Sequence, residues 1–269
     1  MKAETPHRDK IAVESKVMSA LVARKVPIKE AMANAKARAA LDKEYKKLED
    51  VAWPDGKGRG CWDYSKVSSA RVVREDARRK GETVHFGRIV ELCFEKGSEL
   101  PEGDSERKFK GRDVFLGDQV RDQDHNWAMF DELGSSPPSM EASRVLDAFA
   151  MTKGYCSSSS DAVSAYTQAF LKGCATWVVL PRERWPSDWS KLGYGDPVVP
   201  LVLALYGHPD AGGFWEERCE EQLKLEGWET ISSWPGLFWH SKYKALLIVY
   251  VDDFKMAAPE KVTERLWRG

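Results

Sequence analysis

Apolar side chains recur at helical spacing in the first part of the chain. Alanine, lysine and glutamate dominate residues 30–50. The apolar residues there lie three or four positions apart: Ala37, Leu41, Tyr45 and Leu48. This period places them on one face of a helix. We therefore predict that residues 1–50 are helical and that residues 1–52 form a helical N-terminal segment. The turn-forming residues 53–60 follow as a linker.

The next part of the chain has a strand pattern. Residues 83–94 are rich in β-branched and aromatic residues in strand-like alternation, and residues 108–116 resume the pattern after a loop rich in Gly, Pro, Asp and Ser. Two such runs around a turn-rich loop predict a β-hairpin. Basic residues crowd its returning strand: Arg107, Lys108, Lys110 and Arg112.

Two further helices are predicted in the second half. The first lies within residues 131–153 and has Ser139 as its N-cap. Its predicted inner face consists of Ala142, Val145, Leu146, Phe149 and Ala150. The serine run 157–160 is predicted to be a loop, with a short strand as the alternative. The second helix, residues 213–228, ends at Gly227. Its apolar residues lie one turn apart: Trp215, Cys219 and Leu223.

The last part of the chain predicts three strands joined by two turns over residues 237–258. The apolar run Ala245–Val251 is unbroken, which indicates a strand with both faces covered, in the middle of a sheet. Asp252 and Asp253 follow at the tight turn of a hairpin. Helices mixed with antiparallel hairpins predict the α+β class, with an antiparallel sheet and packed helices.

Composition and charge narrow the choice of function. Hydrophobic residues make up 42% of the chain and charged residues 31%, the balance of a globular protein. Residues 1–112 contain 26 Lys/Arg and 19 Asp/Glu, whereas residues 113–269 contain 15 and 23. A basic first part and an acidic second part suit a protein that binds a polyanion with one and metal ions with the other.

Cysteine and histidine spacing argues against a zinc site. The chain has five cysteines without C-x-x-C spacing and five histidines without ligand spacing, which favours reduced thiols in an intracellular compartment. Residues 1–10 lack the apolar core of a secretory signal. No apolar stretch reaches the roughly 18 residues of a membrane span, so no membrane partner is predicted.

The paired carboxylates of Asp252 and Asp253 repel each other when they are close. Either water solvates them in an exposed turn, or a divalent cation makes the cluster favourable. A magnesium site needs further oxygen ligands from another strand. Asp161, directly after the serine run, is the best candidate, and a simple helix or strand cap is its alternative role.

These residues together resemble the reverse transcriptase of copia-type LTR retrotransposons. Four boxes occur in that family's order: a basic fingers strand at 107–117, the first carboxylate box at 161–169, a Leu-Tyr-Gly loop at 203–217 and the catalytic Tyr-Val-Asp-Asp hairpin at 250–253. The resemblance covers roughly residues 37–258.

The resemblance implies a right-hand polymerase that lacks its thumb. Residues 53–269 would form a partial reverse transcriptase domain, with fingers at about 80–160 and palm at about 155–258. The partners implied are an RNA or DNA template-primer, deoxynucleoside triphosphates, and the thumb and ribonuclease H parts of a polyprotein. The cytoplasm is the expected compartment, with the nucleus as the alternative.

The resemblance also implies two-metal nucleotidyl transfer onto a primer 3′ end with two Mg²⁺ ions. Its metal ligands would be Asp161, Asp252, Asp253 and the backbone carbonyl of Ala162. Its substrate-binding residues would be Tyr166, Lys110, Arg112, Tyr206 and Gly207. In the family the aromatic residue packs under the incoming sugar, the basic strand reaches the triphosphate, and the Tyr-Gly loop lies beside the template base.

Three alternatives stay open at this point. A second alignment of residues 165–173 puts Ala165 at the first metal position and leaves the site without a ligand. A truncated remnant would fold as palm and fingers, lack catalysis and at most bind nucleic acid. A nucleotide-cyclising domain on a similar palm would also place carboxylates at a hairpin tip.

Overall fold

The computed structural model describes residues 23–130, 137–189, 193 and 195–268. The α+β class is confirmed, since the described residues form six helices and two sheets whose strands pair mostly antiparallel. The helices are α1 (Ile28–Ala33), α2 (Ala35–Asp50), α3 (Ala70–Lys80), α4 (Met140–Ala150), α5 (Ala211–Leu225) and α6 (Glu260–Leu266). The strands are β1 (Ala23–Val26), β2 (Ser68–Ser69), β3 (Val84–Lys96), β4 (Lys108–Phe115), β5 (Tyr155–Asp161), β6 (Ala175–Val179), β7 (Pro197–Pro200), β8 (Glu229–Thr230), β9 (Leu237–His240), β10 (Ala245–Tyr250) and β11 (Asp253–Pro259).

The first sheet is built around the long strand β3. Its strand order is β1-β3-β6-β7-β2, and β4 pairs with β3 as the predicted hairpin. Helix α2 packs on β4 in backbone contact, because a Cβ atom at Gly111 would lie 2.6 Å from the carbonyl oxygen of Ala40. The buried side chains Tyr45 and Leu48 join the core of this sheet beside Trp62.

The second sheet has the order β5-β11-β10-β9-β8 and is antiparallel throughout. Helix α5 covers one face, where Trp215 packs with Leu247 and Met256. Helix α4 covers the other face, where Leu146 packs with Leu246 and neighbouring apolar residues. Strand β10 is therefore central and covered on both sides, as its unbroken apolar run predicts.

The predicted N-terminal helix is interrupted. Residues 1–22 lie outside the described residues, and residues 23–26 form strand β1 instead of helix. Asn34 separates α1 from α2 because its backbone is extended and its side chain accepts a hydrogen bond from the Lys36 N–H at 2.9 Å, capping α2. The inner face of α2 is buried as predicted, whereas the domain boundary at residue 52 stays a prediction.

Two local predictions in the second half are wrong. The serine run is part of β5, so the loop prediction is wrong and its alternative, a short strand, is confirmed, because pairing with β11 satisfies its backbone. Val145 is 44% exposed and lies outside the inner face of α4. Ser139 does cap α4, since its hydroxyl accepts from the Ala142 N–H, and residues 131–136 lie outside the described residues.

No helix in the described part of the chain is long and apolar enough to cross a membrane. All five cysteines are free thiols.

Candidate functional site

A tight turn at the end of β10 forms the centre of the candidate site. Tyr250 pairs with Asp253, so Val251 and Asp252 are the two turn residues. Val251 has a φ of 55°, a left-handed conformation that is unfavourable for a β-branched residue. The indole Nε1 of Trp215 donates a hydrogen bond to the Val251 carbonyl oxygen at 2.7 Å. Helix α5 therefore holds the turn in this conformation.

Asp161 lies directly beside this turn. It ends β5 and pairs with Asp253 across the β5–β11 ladder, which places both side chains on the same face of the sheet. The next residue, Ala162, donates its backbone N–H to the Asp252 carbonyl oxygen at 2.7 Å. The backbone thus brings acidic residues from two separate parts of the chain to one sheet edge.

The three carboxylates supply only hard oxygen donors, which is the chemistry that Mg²⁺ prefers. Asp161 and Asp253 are exposed, and Asp252 is partly buried. Among the described residues, no three His, Cys, Asp or Glu side chains form a group that could hold a metal ion. The backbone therefore brings the donors to one edge, but their side chains do not converge on a single point. The Mg²⁺ ions stay a prediction that rests on donor chemistry.

The two sequence alignments place different residues at this edge. Ala165, the first metal position in the second alignment, is 1% exposed and packs in the core beneath α5. It begins a 3₁₀ turn, Ala165–Gln168, that leads away from the paired strands. Asp161 pairs with the hairpin strand, whereas Ala165 lines a cavity together with Asp252, so both alignments stay open.

A cavity of about 280 Å³ opens between α2, β4 and the hairpin turn. Asp252 lines it on the side of the second sheet. Three cations line it from helix α2 and strand β4 and are called the cation cluster below: Lys47, Lys110 and Arg112. Predicted site residues from the two halves of the chain, Asp252 with Lys110 and Arg112, therefore face the same space.

The cavity lining contains charges of both signs, because Glu44, Asp113 and Asp252 line it together with the cation cluster. Burial, followed by the nearby charges of Arg112 and Lys96, lowers the pKa of Lys110. Arg112 lies 3.5 Å from Glu44 and its guanidinium lies 5.5 Å from the centre of the Tyr206 ring. The three cations lie together on the wall of the cavity opposite Asp252, and clustered positive charge of this kind attracts anions.

Tyr166 and Tyr206 form an aromatic wall of the cavity. Their ring centroids are 4.5 Å apart and the rings are nearly perpendicular, at 84°. Burial raises the pKa of both phenols, and the negative charge of Asp252 raises them further. Both tyrosines are therefore neutral at physiological pH and offer a hydroxyl together with an apolar ring face.

Gly207 is required for backbone packing. Its φ is 88°, and a Cβ atom there would lie 2.0 Å from the Phe115 carbonyl oxygen. The Phe115 N–H donates to the Tyr206 carbonyl oxygen at 2.8 Å, which fixes the loop to the end of β4. The lining residues of the cavity include Tyr206 but not Gly207. Gly207 therefore positions the tyrosine instead of forming the cavity wall.

The cavity is also lined by three residues that the sequence analysis did not identify: Lys47, Glu44 and Asp113. Lys47 and Glu44 lie next to the buried residues of α2. The helical pattern alone could therefore have placed them near the face that docks on the sheet. Asp113 lies on the other face of β4 from Arg112. That face is buried only because α2 packs against it, which the sequence of the strand does not indicate.

Comparison with known protein families, curated proteins and solved structures found no match.

Proposed function

We propose that the chain is a nucleotidyltransferase of the reverse transcriptase type, an RNA-directed DNA polymerase domain of a retrotransposon polyprotein. One observation supports this best: a cavity with a hairpin-turn carboxylate, Asp252, on one side and the cation cluster on the other. A nucleoside triphosphate needs both, since its phosphates require cations and its metal ions require carboxylates.

The cation cluster would bind the triphosphate. Arg112 offers a planar fork of N–H donors that matches phosphate oxygens, whereas Lys47 and Lys110 act as point charges. Arg112 would exchange its contact with Glu44 for the stronger contact with phosphate. The aromatic wall of Tyr166 and Tyr206 would contact the sugar and base and restrict the space beside a 2′-hydroxyl.

The carboxylate edge would hold two Mg²⁺ ions through Asp161, Asp252, Asp253 and the Ala162 carbonyl. When bound, such ions lower the pKa of a primer 3′-hydroxyl and neutralise charge on the leaving pyrophosphate. The protein holds the edge in place through the β5–β11 pairing and the Trp215 hydrogen bond. In this proposal the β3–β4 hairpin belongs to the fingers and the second sheet belongs to the palm.

Primer extension with Mg²⁺ and deoxynucleoside triphosphates, on RNA and DNA templates, tests the proposal. The purified chain should add nucleotides to an annealed primer, and Asp252→Asn should lower the rate by at least about a hundredfold. Asp50→Asn, an exposed aspartate at the end of α2, is the matched control and should leave the rate unchanged. If the chain binds primer-template but adds no nucleotide, the non-catalytic remnant is the better description.

A further inference from the structure

A second cavity, of about 410 Å³, lies between helices α5 and α6 and strands β10 and β11. Apolar side chains form most of its wall, and three of them are indoles, so it is called the indole cavity below: Trp215, Trp228 and Trp267. A cavity of this size with an apolar wall and a few polar groups is typical of a small-molecule site.

The indole cavity has apolar surface that the protein itself does not cover. Leu223 of α5, Phe254 of β11 and Leu266 of α6 are only partly buried. Each packs against the core of the second sheet and also lines the indole cavity. An apolar body that displaces water from such a recess is favoured, and flat rings beside indoles favour an aromatic body.

The polar groups of the indole cavity include one accessible cation. Of the residues that the structure describes, Arg218 is the only Lys or Arg that lines it. Its side chain is 33% exposed, so a ligand in the cavity can reach it, and its ion pair with Glu221 is 3.9 Å long, beyond hydrogen-bond distance. Its N–H donors are therefore available to a stronger acceptor. Glu226, about two helical turns further along α5, is exposed and solvated by water.

The indole cavity is separate from the cavity that contains the cation cluster. The buried Thr167 lines both, whereas neither Arg218 nor any of the three indoles lines the latter. A ligand in the indole cavity therefore would not occupy the space in which a nucleotide is proposed to bind.

We propose that the indole cavity binds a small aromatic anion. Its rings pack among the three indoles, and its carboxylate or sulfonate oxygens accept hydrogen bonds from the Arg218 guanidinium. Such binding is independent of nucleotidyl transfer, because it needs neither the cation cluster nor a metal ion.

Fluorescence titration with two matched probes tests this. One is 8-anilinonaphthalene-1-sulfonate, and the other is N-phenyl-1-naphthylamine, which has the same aromatic body without the charge. The folded chain should bind the sulfonate saturably, with one molecule per chain. Arg218→Gln should weaken the sulfonate about tenfold, because a charge-assisted hydrogen bond is lost, and leave the neutral probe unchanged. Lys224→Gln is the control on the same helix, since Lys224 pairs with Glu220 and does not line the cavity.

A filling variant tests the location. Gln222 is an exposed residue of α5 that lines the indole cavity, and Gln222→Trp should abolish saturable binding of both probes. Its neighbour Glu221 is exposed and does not line the cavity, so Glu221→Trp should bind both probes as the unaltered chain does. Circular dichroism checks that each variant is folded, and exposure at both positions makes this the expected result.

Three results would overturn the proposal: binding of the sulfonate that does not saturate, an Arg218→Gln variant that affects both probes equally or neither, and unchanged binding in Gln222→Trp. A chain that is dimeric by light scattering and binds the sulfonate only after dilution to the monomer would also overturn it, because a second copy would then cover the cavity. Selective loss of the sulfonate in Arg218→Gln would support this site even in a chain that extends no primer.

Discussion

Asp161 pairs with Asp253 across the β5–β11 ladder, and the backbone of Ala162 continues the contact by donating to the Asp252 carbonyl oxygen at 2.7 Å. Three acidic residues thus lie at the edge of one sheet, although one of them is far from the other two in the sequence and their side chains do not converge on one point. Mutual repulsion at this edge is relieved only by water or by a cation.

Magnesium should stabilise the folded chain through this edge. At a Mg²⁺ concentration about ten times the dissociation constant, binding to the folded state adds about 1.4 kcal/mol to the free energy of unfolding. Asp252→Asn should lose most of this gain, while Asp50→Asn keeps it. Denaturant unfolding with and without Mg²⁺ measures the difference, and equal gains in all three proteins would remove the metal assignment.

The left-handed conformation of Val251 predicts a stabilising substitution. Val251→Asn should raise the free energy of unfolding by about 1 kcal/mol, because asparagine tolerates a positive φ better than a β-branched residue. Val163→Asn, at a 76% exposed valine with no positive φ, provides the comparison and should change little. Urea denaturation measures both, and a loss of stability at Val251 would contradict the strain.

Gly207→Ala should be strongly destabilising. A Cβ atom would lie 2.0 Å from the Phe115 carbonyl oxygen, so the loop must move as well as adopt a strained φ, at a cost of about 2–4 kcal/mol. Gly103→Ala has nearly the same φ, 91°, but no atom within 4 Å of the new Cβ, and should lose only about 1 kcal/mol. Equal losses in thermal unfolding would show that close approach is unimportant at residue 207.

Lys47→Ala should weaken nucleotide binding about tenfold, because it removes a charge from a partly enclosed anion site. Lys46→Ala is the matched control on the same helix, since Lys46 pairs with Asp50 and does not line the cavity. Equilibrium binding of a deoxynucleoside triphosphate at fixed salt compares them. The assignment fails if both variants bind as the unaltered chain does.

Asp113 should make the protein less stable as pH rises. Its pKa is raised from 3.8 to about 8 on folding, so between these values the folded chain binds one proton more than the unfolded chain. The free energy of unfolding therefore falls by up to about 1.4 kcal/mol per pH unit over that range and levels off above it.

Asp113→Asn should flatten this slope, and Asp50→Asn, at an exposed aspartate paired with Lys46, should keep it. Denaturant unfolding at several pH values measures the difference between each variant and the unaltered chain. If the free energy of unfolding of Asp113→Asn falls with pH as steeply as that of the unaltered chain, the carboxyl group of Asp113 ionises without cost in the folded state.

Hydrophobic pattern predicted the elements that bury side chains. The run at Ala245–Tyr250 became the central strand, and the stripe containing Leu41 and Leu48 became the buried face of α2. The serines of β5 have no such pattern, because backbone pairing at a sheet edge holds them instead of side-chain burial. The cavity could not be predicted from the sequence either, because it forms only where α2 docks on β4.

The backbone contact between α2 and β4 has a consequence for selectivity. Gly111 lets the helix approach the strand without any intervening side chain, and Lys47 on that helix and Arg112 on that strand line the same cavity. A larger residue at position 111 would push the two walls apart. If the cavity binds an anion as proposed, the size of anion that fits would depend on residue 111, which does not itself line the cavity.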